Sequence, residues 1–523
     1  MYGSVDFAAM PPPLPDVSKQ NIAAEVAALR QGFASGITKQ IATRKTLLRS
    51  IQRLINENET RILQAAWKDM HRHPVEVFCA EIAMVRAEIQ LFLDYPDAWT
   101  KPERRSTNSM NLPGQSFIYR EPLGVVCVIG TWNYPISLLM QPLVNAIGAG
   151  NCALLRLPGD DTTLHMNDLL IKLFDEYLDN RYIRYVYGGL QETETMLRER
   201  YDLIFAAGST FTGKLVAQAA AQYLTPMVLE LGGKSPAIVD DSADLAVSAR
   251  RIAWGAFYNA GQTYVRPDYV LVDAKIGDRF VALMEKEIEA MYGAGSAVGA
   301  SESYGRLINQ RLFKRVMRIL EHDRERVTYG GESDETQRFI APTLLNFRSD
   351  FVAFTTSAAM GGEIFGPLLA IYYYGAGRLD AAIGFVATRE KPLALYHFSS
   401  NARNKHRMVE ETSAGSLVVN DVVVQGSNLD VPFGGVGNSG MGAARGFFGF
   451  EAFSHRKTVI FKTTGLDMPQ RYSLYSSKAE RVMRIVMYPF SRRQLTLLKT
   501  TVFVAAVGVG VYLLGHSISI TQV

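Results

Sequence analysis

The first hundred residues repeat apolar positions at helical spacing. Ala23, Val26, Ala27 and Leu29 begin one stripe, and Leu47, Leu48, Ile51, Leu54 and Ile55 form another. This period predicts helices over residues 21–100, with Lys39, Arg44, Lys45, Arg49 and Arg53 on a solvated opposite face. After Pro102 the pattern changes. Residues 125–129 are apolar at every position and end at Gly130, as in a strand covered on both faces. Residues 153–155 and 203–205 are similar runs, separated by helix-like segments such as 163–177. Strand–helix alternation at this spacing predicts an α/β fold with a doubly wound parallel sheet. A second alternating region extends from about residue 230 to 420 and includes the runs 269–272 and 368–374. No internal repeat is present.

Both ends depart from this alternation. Residues 1–20 carry Asp6, Asp16 and the run Pro11-Pro12-Pro13-Leu14-Pro15, with no arginine. They read as a flexible, polyproline-like leader rather than a secretory signal or an Arg-rich transit peptide. Residues 500–520 are apolar, with His516 the only ionisable side chain. At about 1.5 Å per residue this stretch spans roughly 30 Å, one hydrocarbon core. Lys478, Arg481, Arg484, Arg492, Arg493 and Lys499 precede it, against the single acid Glu480. The expectation is a single-pass C-terminal membrane anchor that keeps the main domain in the cytosol, on the endoplasmic reticulum or another cytosol-facing membrane. The alternatives are a buried C-terminal helix or one lying flat in an interface.

Composition narrows the function classes. A net charge of +4 over 523 residues is too small to argue for nucleic acid, and no basic tract interleaves with aromatics. The three cysteines, Cys79, Cys127 and Cys152, sit in apolar runs without metal-ligand spacing. They predict small buried thiols in a reducing compartment, and neither a metal site nor a disulfide framework.

Several segments carry candidate chemistry. Gly208-Ser209-Thr210 follows an apolar run and precedes a helical stretch starting near Thr212, so a helix N-terminus there can hold a pyrophosphate. Small residues occur at many such turns. Glu230 sits among apolar neighbours beside Gly232-Gly233, where it is either a general base or a locally paired carboxylate. Asn133 lies just past a strand end, where open sheets place ligands; it donates to an oxyanion or shapes the turn before Pro135. The segments 363–367 and 432–440 are rich in glycine and aromatics, and structural turns alone would explain both.

Together these segments resemble the aldehyde dehydrogenase superfamily, most closely its class 3, fatty aldehyde dehydrogenase branch. The motifs occur in order: GTWNYP (130–135), GST (208–210), LTPMVLELGGKSPAIV (224–239), GQTYVRPDYVLV (261–272), EIFGP (363–367), KPLALY (391–396) and PFGGVGNSGMG (432–442). The resemblance covers roughly residues 22–475, and the apolar tail is similar to that of the fatty aldehyde branch and of fungal relatives acting on long apolar or apocarotenoid aldehydes. It implies a Rossmann-like dinucleotide-binding domain (21–103 and 125–228), an α/β catalytic domain (229–420), and a bridging β element (104–124 and 421–470). A leader (1–20), a basic juxtamembrane segment (471–499) and an anchor (500–520) complete the expected layout. In that family a cysteine thiolate attacks the aldehyde, hydride passes to nicotinamide, and water activated by a glutamate hydrolyses the thioester. By resemblance Glu230 is the base and Asn133 the oxyanion donor, while Arg156, Gly208, Ser209, Glu363 and Phe365 bind NAD or NADP. Class 3 enzymes also imply dimerisation, here as a homodimer or with an active paralogue.

Departures from the motifs decide the functional expectation. The residue after GQT is cysteine in the family and Tyr264 here. A phenol with pKa near 10 is ionised about one part in a thousand at pH 7, whereas a thiol near 8.5 has a few per cent thiolate and leaves readily from a thioester. On the cofactor side a usual Lys-Pro-Ser-Glu reads Arg156-Leu157-Pro158-Gly159-Asp160, so the ribose-binding Glu aligns with Gly159 or Asp160. Thr212 replaces a usual valine, and Gly362 replaces the first Glu of a Glu-Glu-Ile-Phe-Gly-Pro motif. The expectation is a family member without thiol-based oxidation, serving as a binder or dimer partner. The alternatives are an active oxidoreductase with altered chemistry, or an isolated change in an otherwise active enzyme.

Overall fold

The amphipathic stripes of the N-terminal region fold as helices in the computed structural model, which describes residues 20–159, 162–465, 467–488 and part of 491–509. These helices are Ile22–Ala34, Ile41–Glu57, Glu59–Met70 and Ala83–Asp94. Leu48, Ile51, Leu54 and Ile55 are fully buried, as the spacing requires. Arg44 corrects the expectation of a wholly solvated basic face, because it is buried. Its guanidinium donates to the carbonyls of Thr38 (2.9 Å), Lys39 (3.1 Å) and Gly148 (3.2 Å). Gly148 lies at the C-terminal end of the helix Ser137–Ala149, where unpaired carbonyls and the negative dipole end favour a cation. Burial lowers the Arg44 pKa to about 10. Cys79 is a second correction: it is exposed, while Cys127 and Cys152 are buried. It lies in a π-type turn, Phe78–Ile82, which turns Glu81 and Ile82 inward and leaves Phe78 and Cys79 outside.

Two sheets organise the first of two units, residues 1–101 with 120–456. The apolar runs become β1 (Val125–Ile129), β2 (Cys152–Pro158), β3 (Ile183–Gly188), β4 (Leu203–Gly208) and β5 (Met227–Leu231). The later region supplies β6 (Pro236–Val239), β7 (Tyr269–Asp273), β8 (Val327–Tyr329), β9 (Thr343–Asn346), β10 (Leu368–Tyr374), β11 (Ala394–Phe398), β12 (Ser416–Val419) and β13 (Gly440–Met441). The six-stranded sheet has the order β13-β5-β4-β1-β2-β3, and the seven-stranded sheet β8-β9-β10-β7-β6-β11-β12. Pairing is parallel throughout except for β13 on β5 and β8 on β9. Buried parallel strands joined through helices make this a doubly wound α/β architecture.

One buried ion pair sets the loop that leaves β1. Arg72 and Glu81, both fully buried, meet at 2.5 Å. The second Glu81 oxygen accepts from the backbone N–H groups of Ile136 (2.7 Å) and Ser137 (3.3 Å), at the start of the helix Ser137–Ala149. Arg72 also donates to the Asn133 carbonyl at 3.4 Å and lies over the Tyr134 ring. A carboxylate at a helix N-terminus and a cation beneath the loop together hold residues 131–137 in place.

The second unit comprises residues 102–119 with 457–523. It contributes to a three-stranded sheet in which Gln115–Pro122 lies between Glu103–Arg105 and Ser454–Phe461, and it carries the helix Ser477–Val486. The expected C-terminal membrane anchor is not supported. Among the described residues no helix is long and apolar enough to cross a membrane. The stretch 500–520 is interrupted by Gly508, Gly510, Gly515, Ser517 and Ser519, which weaken it as a continuous apolar helix. Residues 1–19 and 510–523, and so the leader and much of the tail, lie outside the described residues.

Replacing Arg44 by Met leaves the carbonyls of Thr38 and Gly148, both in buried contacts, and that of Lys39 without their donor. The expected loss is about 2–4 kcal/mol of stability, read as a lower thermal unfolding midpoint. An unchanged midpoint would contradict the role given to this buried cation.

Candidate functional site

The order of the six-stranded sheet reverses at β1. The chain proceeds β1-β2-β3 to one side, then returns to place β4 and β5 on the other. Loops leaving β1 and β4 therefore diverge, and a crevice opens at their carboxyl ends. Thr131, Trp132 and Asn133 follow β1. Gly208 closes β4 at φ +159, and Ser209 caps the helix Thr210–Ala221 by accepting from Thr212 N–H at 3.1 Å. A cavity of about 660 Å³ fills the crevice.

The segment that follows the helix Leu245–Phe257 reaches this cavity through strained backbone. Asn259 and Ala260 adopt φ +52 and +51, left-handed values that non-glycine residues seldom take. Gln262 holds the strain: its amide donates to the carbonyls of Asn259 (2.9 Å) and Arg306 (3.0 Å), and its oxygen accepts from Ile308 N–H (3.0 Å). Asn133 Nδ2 donates to the Gln262 carbonyl at 3.1 Å, tying the β1 loop to this segment. Two residues later stands Tyr264. Its ring meets Tyr134 and Phe433 edge to face, with centroids 6.3 and 6.1 Å away. Burial and the Glu230 carboxyl push the phenol pKa well above its usual value, and the Arg445 guanidinium only partly opposes them.

Two carboxyl groups line the same cavity. Glu230, on β5, is 4% exposed, and its Oε2 has no hydrogen-bond partner. Burial raises its pKa to about 7, where a carboxyl accepts a proton at neutral pH. Glu363 is raised to about 8 by burial and by Asp268 nearby. It lies against Gly232, where an added Cβ would come within 2.3 Å of Glu363 Oε2. Phe365, at φ +49, packs edge to face on Trp132. Beneath them Arg266 donates to the carbonyls of Gly366 (2.7 Å) and Leu368 (2.6 Å), while Lys234 pairs with Asp268.

The structure brings Asn133, Gly208, Ser209, Glu230, Tyr264, Glu363 and Phe365 together on this one cavity. Arg156 is not among its lining residues: its guanidinium donates to the carbonyls of Gly188 (2.9 Å) and Gly189 (3.4 Å). Gly159 packs so closely on Gly188 that a Cβ would lie 2.1 Å from its carbonyl carbon, and Asp160 is outside the described residues. Sequence reading missed Arg311, Arg315 and Arg318 on the helix Gln310–His322, all of which line the cavity. Their spacing of four and three residues was the available signal. Three cations, a helix N-terminus and a glycine-lined wall fit an extended anionic ligand.

Comparison with known proteins agrees with this geometry. The family model described as "Aldehyde dehydrogenase family" matches residues 13–459. A dimeric NADP-preferring aldehyde dehydrogenase of Rattus norvegicus is 42% identical over 434 residues, which cover 83% of this chain and 93% of that protein. The 4,4'-diaponeurosporen-aldehyde dehydrogenase of Staphylococcus aureus is 38% identical over 446 residues, 85% of this chain and 95% of that one. The substrate-bound structure of Staphylococcus aureus AldH superposes with a TM-score of 0.85 at 36% identity, covering 89% of this chain and 99% of that one.

The raised pKa of Glu230 has a signed consequence. Between its ordinary value of 4.5 and about 7 the folded protein holds a proton that the unfolded chain has released. Unfolding free energy should therefore fall as pH rises through that window and level off above it. Glu230→Gln is expected to remove about 3 kcal/mol of that fall. Denaturation midpoints of parent and variant from pH 4 to 8 check this, and parallel curves would contradict it.

Proposed function

The chain belongs to the aldehyde dehydrogenase family, and from that premise we propose that it retains NAD(P) binding but not thiol-based aldehyde oxidation, acting as a binding protein or dimer partner. The observation that carries this reading is Tyr264, which stands where the family motif has its nucleophilic cysteine. Its phenol is held protonated by burial, so it is a poor nucleophile at neutral pH. No other thiol takes its place. Cys127 and Cys152 are buried in β1 and β2, where burial raises both, Cys152 to about 12. Cys79, exposed on the π-type turn, is absent from the lining of the crevice that holds Glu230 and Glu363.

In this reading residues 21–103 and 125–228 form the dinucleotide-binding domain, 229–420 the catalytic-type domain, and 104–124 with 421–470 the bridging element. Gly208 and Ser209 receive a pyrophosphate at the helix N-terminus. Glu363 holds a nicotinamide ribose, with Phe365 beside it. A bound nicotinamide would supply a two-electron acceptor; the residues of this chain bind and orient, and exclude water around Glu230. The Arg156 guanidinium, turned to backbone carbonyls, is the least suited of the expected cofactor contacts. A dimer is supported by the edge strand Ser454–Phe461, whose Ile460 and Phe461 are exposed.

A second reading, an oxidoreductase with altered chemistry on long apolar or apocarotenoid aldehydes, draws on Glu230. Its unpartnered oxygen and pKa near 7 suit it to take a proton from water that adds directly to an aldehyde carbonyl.

Two measurements separate these readings. NADH should bind, by fluorescence titration, while NAD(P)+ with dodecanal gives no NAD(P)H; steady turnover by the parent protein would contradict loss of thiol chemistry and support the second reading. Gly232→Ala should displace Glu363 and weaken NADH binding by about tenfold with the fold intact. Unaltered affinity would contradict the placement of the ribose at Glu363.

A further inference from the structure

Residues 359–368 carry Glu363 and Phe365 into the crevice, and three cations hold their backbone. Lys234 donates to the carbonyls of Ala359 (2.6 Å) and Gly362 (3.1 Å). Arg315 donates to those of Glu363 (3.1 Å) and Ile364. Arg266, only 2% exposed, takes Gly366 (2.7 Å) and Leu368 (2.6 Å). Asp268 joins the set: it pairs with Arg266 at 3.4 Å and with Lys234, and it accepts from Ile364 N–H at 3.1 Å. Phe365 sits in the middle at φ +49, a left-handed backbone that persists only where its surroundings fix it.

Arg266 does not line the crevice, whereas Arg315 does. It stands two residues after Tyr264, in the segment that Gln262 fastens. Its two donors meet the backbone just past the strained Phe365. Gly261 packs against the same loop, and a Cβ there would lie 2.2 Å from the Gly366 oxygen. A planar fork that answers two carbonyls fixes direction as well as distance, which neither an aliphatic side chain nor a lone ammonium does. The loop 363–368 is therefore tied to the segment that carries Tyr264 by contacts that involve no ligand atom.

We propose that Arg266 is a positioning residue for dinucleotide binding, holding Glu363 and Phe365 through the Gly366 and Leu368 carbonyls where the nicotinamide ribose meets them. This deepens the proposed function and rests on its placement of the ribose at Glu363. A second effect is electrostatic. The charged groups that face Glu363 are Asp268, Arg266, Lys234 and Arg315. Burial and Asp268 raise its pKa to about 8, and the Arg266 charge opposes that rise. An ionised Glu363 accepts the ribose hydroxyls more strongly than a protonated one. NADH affinity therefore increases as pH rises through that value. Loss of the Arg266 charge lifts the Glu363 pKa further and moves the increase to higher pH.

Calorimetric titration of the full chain with NADH and with ADP, from about pH 6.5 to 9.5, tests this. ADP fills the pyrophosphate end at Gly208 and Ser209 and has no nicotinamide ribose to offer Glu363. Arg266→Met should weaken NADH binding about tenfold, leave ADP within about twofold and shift the pH midpoint for NADH upward. Arg266→Lys should recover part of the affinity and return the midpoint toward that of the parent. Unchanged NADH affinity, an equal loss for both ligands, or an unmoved midpoint would overturn the proposal. If the Met variant does not fold, amide hydrogen exchange in the unaltered protein decides. Ile364 and Leu368 should be protected before NADH is added, and free exchange that only NADH suppresses would overturn the positioning role. Failure of the unaltered protein to bind NADH would overturn the proposed function and this inference with it. NADH binding that is indifferent to Arg266 would overturn only the inference.

Discussion

The segment from Tyr258 to Asp268 is pinned at both ends by buried polar contacts, and the rest of the site is arranged around it. Gln262 fastens one end to Asn259, Arg306 and Ile308. At the other, Arg266 and Asp268 form a buried ion pair at 3.4 Å, and Arg266 reaches the carbonyls of Gly366 and Leu368. Each of these groups would be left unsatisfied in an apolar interior if the segment moved, which makes displacement expensive. The left-handed backbone of Asn259 and Ala260 is tolerated for the same reason. Whatever occupies position 264 is thereby held between β1, β5 and the loop that carries Phe433.

That fixed position gives the residue at 264 its meaning. The phenol packs against Tyr134 and Phe433 and forms part of the crevice lining. The electrostatics follow from the same burial. Glu230 and Glu363 are raised, the phenol stays protonated, and Arg445 reaches the Tyr264 hydroxyl at 3.4 Å. Around that centre stand two carboxyl groups raised toward neutral pH and one buried guanidinium.

Much of this arrangement was legible in the sequence, because strongly apolar runs and glycine turns act locally. The strands β1, β2 and β4, the Gly208 turn and the meeting of Asn133, Glu230, Tyr264 and Glu363 all follow from runs and motifs. What was not legible depends on tertiary partners. Arg44 looked solvated on its own helix and is buried by the carbonyl end of another. Cys79 looked buried until a π-type turn placed it outside. Arg445 sits in a glycine-rich stretch with no periodicity, and only the fold brings it to Tyr264. The tail misled for a different reason: counting residues 500–520 as one apolar segment overlooked the glycines and serines that interrupt it, and no helix among the described residues is long and apolar enough to cross a membrane.

Acylation offers the most direct view of whether residue 264 reacts. An activated ester such as 4-nitrophenyl acetate acylates a competent nucleophile without requiring a cofactor, and intact-protein mass spectrometry detects the adduct. The parent protein should remain unmodified at Tyr264, whereas Tyr264→Cys should acquire an acyl group on the new thiol. A parent protein acylated at Tyr264 as rapidly as the variant at its cysteine would contradict the claim that this position is a wall.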